Sequence, residues 1–252
     1  SPELGRWTRR DPAGFWGGLN YNAFSANDAV SAVDLYGLAP VSLPYEMELD
    51  GSWHCDSVSN YAKDFIVANG DWRRRIGTSS EDNCKLKVHC KCCGESASYR
   101  GRCTPTKDED NFVHITICRD KVKDVIGWPE RSQVKEVFAH ELVHYFDVCK
   151  PFEFPDCRTE TPFTNSMACF CARSMCKEIR AHKKAGQCGT RGTPEQQFNS
   201  CWGHVKSRYW DTRRNTCRIH EEAGDITEPQ VMRYTRENCP WNPGFVPDPV
   251  YH

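Results

Sequence analysis

Hydrophobic positions recur along this chain with two different periods, and the well-ordered runs lie beyond residue 50. Phe138, Leu142, Tyr145 and Cys149 fall at i, i+4, i+7 and i+11. That spacing makes one apolar stripe and predicts a helix over 133–148. A second helix is predicted over 167–184, and a third over 56–68 from Tyr61, Phe65 and Ile66, with Asp56 or Ser57 as its cap. Residues 112–118 alternate instead, with the β-branched Val113, Ile115 and Ile117 on one side, which is the pattern of a short strand. One more helix is expected over 230–237. Residues 39–52 carry Pro40 and Pro44 and show no clear period, so they read as a linker. The mixture predicts an α+β domain over 53–252, preceded by a separate piece, 1–38.

Composition changes this picture in one respect. Leu, Ile, Val and Phe together number only 45 of the 252 residues, and a share below roughly 20% is thin for a packed core. Net charge does not explain the deficit, since 33 basic residues nearly cancel 34 acidic ones. The compensating feature is 16 cysteines, all between Cys55 and Cys239. Such a chain is expected to be stapled by disulfides or metal. Cys90 and Cys93 form a C-x-x-C, but no second one follows at zinc-ribbon spacing, so disulfides are the expected use. The neutral balance argues against a nucleic-acid binder, and no apolar run is long enough to span a membrane. The chain opens Ser1-Pro2-Glu3, without methionine or an apolar leader, which reads as a fragment of something larger.

The chemistry concentrates in His140-Glu141-Leu142-Val143-His144. On a helix, positions i and i+4 share a face, so both imidazoles can bind one metal ion, while Glu141 beside them can act as general base. A catalytic zinc usually takes three protein ligands. Asp147 lies one turn beyond His144 and suits a supporting role, accepting a hydrogen bond from a ligand histidine or its surroundings. Glu178, on the 167–184 helix, can approach from a second element and is the preferred third ligand. His182, Arg180 and Tyr145 are candidate oxyanion donors.

Two resemblances become specific at this point. The run from Gly5-Arg6-Trp7 through Asp11-Pro12-Ala13-Gly14-Phe15 to Asp34-Leu35-Tyr36-Gly37-Leu38 resembles the end of the core domain of Rhs-type polymorphic toxins. The resemblance implies a β-cage enclosing a C-terminal toxin, an Asp11/Asp34 aspartyl pair, and autocleavage between Leu38 and Ala39. Leu35 stands where that family usually has proline. Further along, Phe138 to Cys149, with Cys90-Lys91-Cys92-Cys93, Ile115-Thr116-Ile117-Cys118 and Cys176-Lys177-Glu178-Ile179-Arg180-Ala181, resembles the mitochondrial ATP-synthase-processing metalloproteases. The similarity covers about 84–248 and is strongest over 112–188. It implies a compact, gluzincin-like zincin with His140, His144 and Glu178 on Zn2+ and Glu141 as base.

Together these readings predict a secreted Rhs effector, carried by a type VI secretion apparatus into a target cell. There it would act as a zinc endopeptidase on protein substrates, held in check in the producer by a cognate immunity protein. The alternatives are a metal-stapled toxin that binds without hydrolysis, and a nuclease, for which Arg213-Arg214 gives little support.

Overall fold

The structure, a computed structural model, describes residues 45–81, 83–95, 97, 99–123, 129–158, 163–210 and 215–240. It is an α+β fold built around a four-stranded mixed sheet. The strands are β1 (Glu46–Leu49), β2 (Lys85–Lys91), β3 (Gly101–Cys103) and β4 (Phe112–Cys118), in the order β1-β2-β4-β3. The first three neighbours run parallel, and β3 closes one edge antiparallel to β4. Strand β4 spans the residues expected from its alternation, and β1 lies inside the stretch read as linker. Two prolines and four residues of weak pattern conceal it; pairing with β2 makes it a strand.

Alternation along β2 and β4 decides which face is covered. Leu86, Val88 and Cys90 with Val113, Ile115 and Ile117 are buried, whereas Lys87, His89, His114 and Thr116 stand on the open face. Across that open face His89 Nε2 meets His114 Nδ1 at 2.7 Å, and His114 Nε2 meets Asp108 Oδ2 at 2.7 Å. The covered face packs against α1 (Trp53–Ala68), α2 (Gly70–Glu81) and α3 (Arg131–Cys149). Helix α1 begins three residues before the expected 56, because Ser52 rather than Asp56 or Ser57 caps it, accepting the Cys55 N–H at 3.3 Å. Asp50 in turn accepts the Ser52 N–H at 3.0 Å and the Arg119 guanidinium at 2.8 Å.

A second core lies among α4 (Phe163–Lys184), α5 (Pro194–Val205), a π-helical turn (Lys206–Trp210), α6 (Thr216–Glu222) and α7 (Glu228–Asn238). Helix α4 serves both cores: Ala172, Met175 and Ile179 face the second, and Ala181, with Ala185 just past the helix end, the first.

Fourteen of the sixteen cysteines form seven disulfides. The C-x-x-C splits between two of them, Cys55–Cys90 and Cys93–Cys118, and a third, Cys84–Cys149, anchors the end of α3. Cys157–Cys169, Cys171–Cys217, Cys176–Cys239 and Cys188–Cys201 all lie beyond residue 150. No disulfide joins the sheet half to the helical half. Cys92 and Cys103 remain as thiols. No helix among the described residues is long and apolar enough to cross a membrane.

Candidate metal centre

Helix α3 passes beneath the sheet edge and is buried on several sides at once, through Val134, Val137, Phe138, Leu142, Val143, Tyr145 and Phe146. That packing fixes the rotation of the helix and aims His140 and His144 at α4. Their Nε2 atoms stand 3.1 Å apart. Glu178, projecting from α4, places Oε2 3.6 Å from His140 Nε2 and Oε1 3.6 Å from His144 Nε2. These three residues form a group that could hold a metal ion, with ligand atoms within 4.8 Å of one another, and no fourth His, Cys, Asp or Glu among the described residues joins it. Two nitrogens bound to one tetrahedral ion at 2.0–2.1 Å would lie about 3.3 Å apart, close to the separation here.

The electrostatics fit the same donor set. Burial, reinforced by His144, His182 and His204, holds His140 well below the usual imidazole range. Burial and Lys177 bring His144 down to about 4. Both rings are therefore neutral, the form that ligates metal. Burial raises Glu178 to about 7, and nearby Asp147 adds to the rise. Glu141, buried beside the ligands, is pushed up to about 8, by burial first and then by the Glu178 charge. A divalent cation held by this group would add positive charge beside both carboxylates.

Strand β3 shapes the other wall. Cys118 N–H bonds Arg100 O and Thr104 N–H bonds His114 O, each at 2.9 Å, so the ladder engages alternate residues of this segment. The alternation turns the backbone groups of Gly101 and Cys103 to the free edge. There the Cys103 N–H donates to the Glu141 carboxylate. Gly101 lies against Glu141 and Val137 so closely that a β-carbon would overlap Val137 Cγ1 and stand 3.0 Å from Glu141 Cγ. Between β3, α3 and α4 opens a cleft of about 580 Å³, lined also by Phe152, Arg173 and Lys177.

Asp147 is buried, but its structural partner is not a ligand histidine: Oδ1 accepts from Arg180 Nη1 at 2.6 Å. Arg180 also lies over the Phe152 ring, 4.3 Å from its centroid. Arg180 is thus committed to Asp147 rather than free as an oxyanion donor. Tyr145 is excluded from that role too, because its buried hydroxyl donates to Cys84 O at 2.8 Å. His182 sits edge-on to His140 with centroids 4.5 Å apart, and His204 sits edge-on to His182 at 4.7 Å. The position of His182, one turn after Glu178 on α4, was a readable signal for this placement; His204 carried none. Gly101 and Cys103 escaped the sequence reading because a three-residue strand shows no period. Asp11, Asp34 and Leu38 lie outside the described residues.

No protein-family model matches this chain, nor does any curated protein or solved structure.

Proposed function

We propose that the domain is a zinc-dependent endopeptidase with a zincin-like centre. The observation that carries this reading is the convergence of His140, His144 and Glu178 beside a buried carboxylate, Glu141, in an open cleft. Zinc, when bound, polarises a carbonyl and makes water a nucleophile near neutral pH. Glu141 takes the proton of the attacking water and returns it to the leaving amine. Its poise near 8 in the metal-free protein comes from burial and from Glu178; neutralising Glu178 removes one of those causes and leaves more of Glu141 ionised and able to accept a proton. The Cys103 N–H holds the Glu141 carboxylate in place. The free edge of β3 offers backbone groups to an extended substrate, which would add as a further strand.

The same proposal extends to delivery. The resemblance of residues 1–38 to an Rhs core end makes this the toxin of a secreted effector, cut after Leu38 and restrained in the producer by an immunity protein. Seven disulfides suit a protein that matures outside a reducing cytosol.

The test is Glu141→Ala in the full chain. Metal content by mass spectrometry and circular dichroism are expected to be unchanged, and toxicity and new peptide ends in intoxicated cells to disappear. Undiminished killing by that variant would overturn the protease reading, and loss of metal would move Glu141 from base to ligand.

A further inference from the structure

The cleft is lined by three carboxylates, Glu141, Asp147 and Glu178, and three cations, Arg102, Arg173 and Lys177, which balance in number without forming ion pairs with one another. Each of its carboxylates has a partner, although Asp147 Oδ2 is buried without a hydrogen bond. Asp147 is paired with Arg180, Glu178 faces the two imidazoles, and Glu141 is held by the Cys103 N–H. Its cations differ. Arg102 on β3, and Arg173 and Lys177 on α4, line the cleft without a close ion-pair or hydrogen-bond partner among the described residues, Lys177 acting only at longer range on Asp147 and Glu178. Arg173 is the most telling of the three, because its Nε is buried with no hydrogen-bond partner. An unsatisfied buried donor on a charged group costs about 1–3 kcal/mol or more, so the Arg173 guanidinium gains from an acceptor brought against it. Arg173 and Lys177 stand at i and i+4 on one face of α4, and together they present a fork and a point charge to the same space.

We propose that Arg173 and Lys177 form a carboxylate-binding subsite that selects substrates with an acidic group close to the scissile bond. This rests on the peptidase reading of the same cleft. Distance along the helix sets the reach. Arg173 precedes the ligand Glu178 by five residues, about 7.5 Å of helix rise, and Lys177 by one residue, about 1.5 Å. An extended peptide advances about 3.4 Å per residue, so the recognised carboxylate lies within two residues of the bond that is cut. Arg102, on the opposite wall, adds to the positive field without sharing the α4 face. The carboxylate can come from an Asp or Glu side chain or from the free C-terminus of a short substrate, and the two are separable.

The experiment uses the metal-loaded full chain and quenched fluorescent peptides. These are identical except for Asp or Glu against Asn or Gln within two residues on either side of the cleaved bond, each made with an amidated and with a free C-terminus. Charge-assisted hydrogen bonds predict kcat/KM about tenfold to a hundredfold higher for the acidic member, mostly through KM. Arg173→Ala and Lys177→Ala should each shrink the acidic-to-neutral ratio, and Lys177→Glu should turn it towards peptides bearing Lys or Arg. Lys177 is exposed, so Lys177→Glu keeps the test open should Arg173→Ala fail to fold. A preference that follows the free C-terminus, and vanishes on amidation, assigns the same subsite to a terminal carboxylate. Equal turnover of acidic and neutral peptides, or a preference that survives all three variants, overturns the subsite. If wild type cleaves no peptide at all, the peptidase reading fails instead. The subsite is then read by binding of labelled acidic and neutral peptides to Glu141→Gln, where equal affinity overturns it.

Discussion

Gly101→Ala perturbs the candidate base without touching a ligand. The added β-carbon would overlap Val137 Cγ1 and stand 3.0 Å from Glu141 Cγ and 3.1 Å from Glu141 Oε1. Ordinary carbon contacts are 3.5–4.0 Å, so roughly an ångström of separation must be found. Helix α3 cannot supply it: Val134, Phe138, Leu142 and Tyr145 are fully buried, and Cys84–Cys149 pins its end. Strand β3 can, since it has three residues and pairs with β4 alone. Overpacking of this kind costs about 1–3 kcal/mol, a fall in Tm of several degrees for a domain of this size. As β3 retreats it carries the Cys103 N–H away from Glu141. A misplacement of about 1 Å near the chemistry is worth about a hundredfold in rate, and metal content should not change because neither histidine moves. The assays are a thermal melt, metal content by mass spectrometry, and turnover of a peptide substrate. Adding Val137→Ala removes the overlapping methyl and should restore part of both losses. A Gly101→Ala variant with wild-type melt and turnover would refute the argument, as would a double variant no better than the single one.

Glu178→Ala should weaken metal binding by tenfold or more while leaving the fold, since two imidazoles remain but the carboxylate between them is gone; equilibrium titration of the stripped protein with zinc measures it. Arg180→Ala strands the buried Asp147 carboxylate and should cost about 3 kcal/mol, whereas Arg180→Ala with Asp147→Asn should cost less, both read by denaturant unfolding. Asp50 is held down to about 2 by its bonds to Ser52 and Arg119, below the value of about 3.9 expected in the unfolded chain. A depressed carboxylate stabilises the fold above the unfolded pKa and loses that contribution as pH falls through the folded one. Melts of wild type and Asp50→Asn should therefore differ at pH 5 and converge between pH 4 and pH 2.

What the sequence disclosed depended on period. Helix α3 and strand β4 were legible because their apolar residues recur at fixed intervals, and His140 and His144 share a helix face by the same arithmetic. Glu178 needed only a second helix long enough to read. The other wall of the cleft is built by β3 with Gly101, a segment too short to carry a pattern, and β1, at the far edge of the sheet, is hidden behind its prolines. Helix α5 is missing from the sequence expectations, because its one local signal, the Thr193 and Gln196 capping box, precedes a polar run. The pairing of Asp147 with Arg180 links residues 33 apart in the chain, and no local rule reaches that far. Tyr145 was misread for the opposite reason: its place in the apolar stripe already said that it points into the core.

Every disulfide lies within one half of the molecule, and the candidate ligands straddle the seam, with two histidines on the sheet side and one glutamate on the helical side. Two kinds of fastening therefore act on different joints. A reductant would unpick each half from within and leave the join between them to packing, to the Asp147–Arg180 ion pair and to any metal held there. A chelator would leave both halves closed and loosen the seam only at the candidate ligands, with Asp147 and Arg180 still bridging α3 and α4. Removal of a bound metal and reduction of the disulfides would thus act on different parts of the protein, and sensitivity to one need not accompany sensitivity to the other.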